Sequence, residues 1–240
     1  MSAAAPMVPG RVSARRRVVR DLSSVLIISG VLLLLDAAIT LAWQEPLTAL
    51  VGTLQRGGIN QRLVRPAQLS RLDLTALAGL AAADDRMAYL ARREQRQLKA
   101  GDAIGRIAIP RLGVSFQVVQ GTDSTSLEKG PGHYPDTSLP GLGETAAVAG
   151  HRTTYLAPFR HLDALRPGNR IVVNMPYGRF TYVVQYRRIV APTALWVTRD
   201  VGYDRLVLSA CNPLFSAAQR IIVFARLRRA VALGSALAPL

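Results

Sequence analysis

The chain is 240 residues long, half apolar, and carries a formal net charge of +15 from 30 basic residues against 15 acidic ones. That length suits one medium-sized domain with attachments, and because only Lys99 and Lys129 are lysines the charge is almost wholly arginine. Neither zinc-finger spacing nor an aromatic RNA-binding motif accompanies it, which excludes nucleic acid as the expected partner, and a lone cysteine excludes an intramolecular disulfide.

Much of the charge has a membrane explanation. Arg11, Arg15, Arg16, Arg17 and Arg20 precede any acidic residue, and an apolar stretch over residues 22–43 follows, with Asp36 as its only charge. Roughly 20 apolar residues cross a bilayer. Basic residues ahead of a span predict a cytoplasmic N-terminus, with Trp43 at the outer interface. The stretch exceeds the roughly 7–15 residues of a signal-peptide core, and Ala42-Trp43-Gln44 is a poor cleavage site, so an uncleaved anchor in membrane lipid is expected. Residues 230–240 are apolar but too short for a second span. The rest of the chain then lies outside the cytoplasm, where an unpaired thiol, Cys211, is a candidate reactive group.

Beyond the span, Pro46 suits the first turn of a helix carrying Leu47, Leu50, Val51 and Leu54, which Gly57 and Gly58 end. Asp73 reads as the N-cap of a second helix through Leu74, Leu77 and Ala81 to about Ala100, with Gly101 as its stop. Arg92, Arg93, Arg96 and Lys99 read as its solvated face. The period then changes. Ile107 and Ile109, then Val114, Phe116 and Val118, alternate around Pro110 and Gly113, predicting two strands and a turn. Residues 124–129 suit one helical turn before a Gly/Pro-rich loop. A strand closes on His151, and Pro158 is expected to begin a short helix with Phe159, Leu162 and Leu165. Strands follow at residues 171–173, 180–190, 206–211 and 220–228. Many short strands with few helices predict a mainly β fold, a closed or nearly closed barrel.

Three side chains with chemical potential sit at strand lips: His151, Cys211 and Arg220. Alternation puts Leu206, Leu208 and Ala210 on one strand face and Val207, Ser209 and Cys211 on the other. With the first trio in the core, the thiol faces a groove, and Pro213 ends the ladder just beyond it. A thiolate is the nucleophile of cysteine chemistry, a histidine carries protons near neutral pH, and an arginine offers five donors to a developing oxyanion. His161 reads as solvated, and His133 lies in the Gly/Pro-rich loop as a lesser candidate. Three scattered histidines and one cysteine give no metal-ligand spacing, and the Gly-rich stretches match no phosphate-binding fingerprint, so no metal or cofactor is expected.

Over residues 104–227 the chain resembles the sortases, membrane-anchored cysteine transpeptidases. The likeness is carried by Ile107-Ala-Ile-Pro110, Gly130-Pro-Gly132, Ala149-Gly-His-Arg152, the 159–173 segment, Leu208-Ser-Ala-Cys211 and Arg220. The runs Gly150-His-Arg-Thr-Thr-Tyr155 and Gly130-Pro-Gly-His-Tyr-Pro135 resemble the actinobacterial class E branch. The resemblance implies an eight-stranded barrel with His151, Cys211 and Arg220 as the catalytic set. It implies cleavage of a C-terminal sorting signal between threonine and glycine, a thioacyl intermediate, and transfer of a surface protein to a cell-wall amine. It also places Tyr134, where class E members carry tyrosine, and Ala210 at the bound signal, and implies Leu-Ala-x-Thr-Gly or Leu-Pro-x-Thr-Gly as that signal. Sortases typically carry threonine just before the cysteine and four residues before it; here Ala210 and Val207 stand there.

These readings divide the chain into a basic cytoplasmic tail (residues 1–21), a transmembrane helix (22–43), a helical juxtamembrane segment (44–102), a catalytic barrel (103–229) and a C-terminal tail (230–240). Two alternatives remain open. In another cell-wall cysteine enzyme, an L,D-transpeptidase would place arginine where residue 213 is proline, and papain-like hydrolases put cysteine before histidine. A catalytically silent, membrane-anchored binding module is the other.

Overall fold

The computed structural model describes residues 14–42 and 69–237, in two units that divide after Pro46. Trp43, Arg11 and the helix expected from Pro46 lie outside the described residues. The first unit holds one helix, α1 (Ala14–Ala42). Its apolar part, Val18–Ile39, is 22 residues, none of them buried. At 1.5 Å per residue that is about 33 Å, the thickness of a bilayer's hydrocarbon core.

The second unit opens with α2 (Arg71–Ala78) and α3 (Ala83–Gln97), where the sequence predicted one continuous helix. Ser70, not Asp73, is the N-cap. Asp73 is the third helical residue and completes a capping box, donating its N–H to Ser70 Oγ and accepting the Ser70 N–H on Oδ2. The break is tied both locally and to a distant segment. Gly79 ends α2, and the buried Arg86 side chain donates to the freed carbonyls of Leu80 (2.7 Å) and Ala81 (2.9 Å) and to Ala236 O (3.1 Å). Asp84 and Asp85 then favour a new helix N-terminus. Arg93 also departs from the expected solvated face: it pairs with Asp73 at 3.0 Å.

The eight strands are β1 (Ala103–Ile109), β2 (Val114–Gln120), β3 (Gly132–His133), β4 (Thr145–Ala149), β5 (Arg170–Met175), β6 (Gly178–Val190), β7 (Arg205–Asn212) and β8 (Gln219–Ala232). They close into a barrel in the order β1-β2-β3-β4-β7-β8-β6-β5. Only β2–β3 and β4–β7 run parallel. The helical turn α4 (Ser124–Lys129), N-capped by Asp123, crosses from β2 to β3. The helix predicted from Pro158 is a single 3-10 turn, Leu162–Ala164. Phe159, Leu162 and Leu165 are nonetheless all buried, and their spacing of three matches the 3-10 period.

Leu206, Leu208 and Ala210 of β7 fill the barrel interior, with Val148, Ile221 and Val223 from its neighbours. Val207 joins a second cluster on the outer face with Ala147, Val197, Ile222 and Phe224. The strands that carry the site are therefore covered on both faces. Phe159 closes up against Gly150, where an added Cβ would sit 2.5 Å from its ring, so only glycine fits at the end of β4.

Candidate active site

Two sheet registers bring the strand-lip residues together. Cys211 pairs directly with Arg220 across β7–β8. The parallel β4–β7 pairing ends with Ala149 opposite Ser209, so His151 lies two residues past the paired end of β4 and Cys211 two residues past the same rung of β7. Directly opposed residues share a sheet face, which puts Arg220 beside the thiol. Cys211 is half-buried on the outer face. Chemically, such a set supplies a nucleophile, a proton carrier and a fixed donor fork.

His151 is held from several sides. Its carbonyl accepts the Phe159 N–H at 3.0 Å, and its ring meets that of Tyr155 with centroids 5.2 Å apart. Tyr155 in turn donates to Glu128 Oε1 of α4 at 3.1 Å. Tyr155, Leu156 and Ala157 all adopt left-handed backbone, with φ of 48°, 67° and 43°. Successive non-glycine residues there store strain of about 1–3 kcal/mol each, the kind that clusters at functional sites. The turn buries His151 Nε2, which has no hydrogen-bond partner among the described residues. Burial pushes the His151 pKa down, and the Glu128 charge partly opposes this, so the ring is neutral at pH 7.

Arg220 donates from Nη1 to Ala217 O (2.9 Å) and Gln219 O (3.0 Å), which orients the guanidinium. It makes no ion pair among the described residues. Tyr134 reaches the same outer face: its hydroxyl hydrogen-bonds Ser209 Oγ at 2.8 Å, two residues before the thiol. Ala210 departs from the expectation that it lies at the bound signal. Its side chain is 3% exposed and packs into the interior, because consecutive strand residues point to opposite faces. A threonine there would carry its hydroxyl into the core.

The remaining histidines lie apart from the thiol. His161 is exposed. His133, only 1% exposed, is fixed by Gln120 Oε1 (2.9 Å), Ser138 O (3.1 Å) and Thr137 Oγ1 (3.2 Å). Sequence reasoning missed four residues around the site: Ser209, Glu128, Tyr155 and Arg152. Arg152 is buried, donating to Cys211 O, Asn212 Oδ1, Arg160 O and Asp163 Oδ1. The one available signal was its place immediately after His151.

The Sortase domain family model matches residues 107–228, just over half of the chain. This chain belongs to the sortase family. Within that family it is class E-like. Sortase D of Bacillus subtilis (strain 168) is 32% identical over 133 residues, covering 53% of this chain and 65% of the relative. Sortase SrtE1 of Streptomyces coelicolor is 28% identical over 152 residues, covering 57% and 43%. The chain thus spans less than two thirds of the length of these curated relatives. Among solved structures, sortase E from Streptomyces avermitilis is 32% identical with a TM-score of 0.51, covering 56% of this chain and 93% of that one. SrtF from Corynebacterium diphtheriae is 28% identical with a TM-score of 0.55, covering 57% and 90%.

The buried His133 makes a prediction for stability against pH. Burial lowers its pKa to about 4, whereas in the unfolded chain an exposed histidine titrates near 6.5. Between these values the unfolded state binds more protons, so stability is complete above pH 6.5 and falls toward pH 4, by up to about 3 kcal/mol. Urea titrations of the detergent-solubilised chain between pH 4 and 8 should show this decline, and His133→Gln should flatten it. An identical pH slope in the glutamine variant would assign the acid sensitivity to other groups.

Proposed function

We propose that this chain is a membrane-anchored cysteine transpeptidase, also classed with the cysteine hydrolases, that cuts a sorting signal between threonine and glycine and joins the protein to a cell-wall amine. The observation that carries this reading is the register that pairs Cys211 with Arg220, next to the β4 end that His151 follows. His151 takes the thiol proton, and Cys211 Sγ attacks the threonine carbonyl carbon. The carbonyl electron pair moves to oxygen, where Arg220 N–H groups donate to it. Collapse expels the glycine amine, which takes the proton from His151 and leaves a thioester. The incoming amine repeats the sequence in reverse, giving its proton to His151 and releasing the thiolate. A depressed His151 pKa suits the expulsion step, because the imidazolium is then a stronger acid toward the leaving amine, and it makes the imidazole a weaker base toward the thiol.

Cys211→Ala should abolish cleavage of a sorting peptide. His151→Ala should cost about 10²–10⁴-fold in turnover. Arg220→Lys keeps the charge but loses the fork, and should fall by about 10²–10³, close to alanine. Substantial cleavage by Cys211→Ala would sink the assignment. A silent binding module would hold the peptide without selective labelling of the thiol by a sorting-signal analogue.

Leu-Ala-x-Thr-Gly should be preferred over Leu-Pro-x-Thr-Gly. Alanine keeps the backbone N–H that proline lacks, and the Tyr134 hydroxyl oxygen, whichever hydroxyl donates in its bond to Ser209 Oγ, keeps a lone pair to accept it. One neutral hydrogen bond is worth about 0.5–1.5 kcal/mol, so the ratio of kcat/KM should be several-fold and should shrink in Tyr134→Phe. A proline preference in the wild type would refute this reading of Tyr134.

In this proposal residues 1–21 are a cytoplasmic tail, α1 is the anchor, residues 44–102 are the juxtamembrane segment, and the barrel of residues 103–229 with its tail faces outward. The basis is the arginine excess ahead of the apolar stretch. Alkaline phosphatase fused after Leu240 is expected to be active in cells; an inactive phosphatase beside a fluorescent cytoplasmic reporter would reverse the orientation.

A further inference from the structure

The main-chain ladder between β4 and β7 stops before the thiol. Its last bond is Gly150 N–H donating to Ser209 O at 3.0 Å. In a parallel pair one residue both donates to and accepts from the facing strand, so the ladder would continue with the Cys211 N–H to the Gly150 carbonyl and then with the Arg152 N–H to the carbonyl of Cys211. Neither bond is present in the described backbone, and the second leaves the Cys211 carbonyl without its main-chain donor. The chain has left the sheet to form the left-handed turn of Tyr155, Leu156 and Ala157 that encloses His151.

The Arg152 side chain occupies the vacated place. Its Nη1 donates to the same Cys211 carbonyl at 3.4 Å and to Asn212 Oδ1 at 3.0 Å. Its other nitrogens face away from β7, Nε to Arg160 O at 3.2 Å and Nη2 to Asp163 Oδ1 at 3.1 Å. The residue is 4% exposed. One guanidinium thus joins the His151 turn, the 160–163 segment and the end of β7.

We infer that Arg152 is a positioning residue: its guanidinium replaces the missing main-chain rung and sets the separation of His151 from Cys211. The side chain gives both what the turn needs and what the site needs. The backbone is free to curl around the imidazole, while the strand that carries the thiol stays tied to it. An ammonium offers a single compact head and cannot span three segments. The inference rests on the proposal that His151 and Cys211 act together.

The test uses the full chain in detergent. Misplacing a reacting group by about 1 Å costs on the order of 10²-fold, so Arg152→Lys should lower kcat for a fluorogenic sorting peptide by about that factor with KM changed by no more than about threefold. Asn212→Ala, which leaves the guanidinium in place, should act in the same direction and less. A second readout needs no substrate. The chain has three histidines, and their ring signals in NMR separate positioning from general loosening: in both variants His151 should shift or broaden while His133 and His161 stay in place. Values of kcat within about twofold of wild type in both variants would overturn the inference. So would joint disturbance of His133 and His151. If the wild type itself fails to turn over any sorting peptide, the transpeptidase reading falls, and the NMR comparison by itself decides whether Arg152 holds His151.

Discussion

The structure depends on the register of β7 between its two neighbours, parallel β4 and antiparallel β8. A slip of one residue in a strand turns every side chain to the other face; here it would turn the thiol inward and drive Leu206 and Leu208 into the outer cluster, where Val207 packs. Packing on both faces opposes that slip. Leu206, Leu208 and Ala210 are locked into the interior while Val207 is locked beneath the 195–198 turn with Phe224 and Val197. Because each face has its own apolar complement, the position of Cys211 follows from burial of residues that take no part in chemistry.

At the barrel end the polar accounting changes. His151 Nε2 is buried without a partner among the described residues, three successive residues are left-handed, and a guanidinium is taken out of water beside Asp163. Each is unfavourable alone. Together they describe a segment held in place by contacts on either side. Phe159 packs against Gly150, Tyr155 bonds Glu128, and Arg152 grips the end of β7.

The arginine excess has a structural use that composition does not reveal. Arg86, Arg152 and Arg205 are almost wholly buried, and each donates to main-chain carbonyls in turns or at the ends of elements: Leu80 and Ala81, Arg160 and Cys211, Val197 and Arg199. Where a chain leaves regular structure its carbonyls lose their partners, and a fork with five donors satisfies several at once. These connections include the break before α3 and the turns that frame β7.

By itself the sequence determined the period-two strands, the Pro and Gly punctuation between them, the N-terminal apolar span, and the placing of His151, Cys211 and Arg220 at strand ends. All of these are local patterns of burial and turn chemistry. Alternation alone already put Ala210 on the face opposite Cys211, and the structure follows it rather than the expectation that Ala210 meets the signal. The tertiary structure decided what depends on partners far along the chain. Arg86, beside the break in the predicted helix, finds Ala236, Tyr134 finds Ser209, and the two-residue strand β3 exists only through its pairing with β2 and β4. Arg152 finds Cys211 and Asn212, 59 and 60 residues away. No local period encodes such contacts, because they form only when closing the barrel brings β4, β7 and β8 side by side.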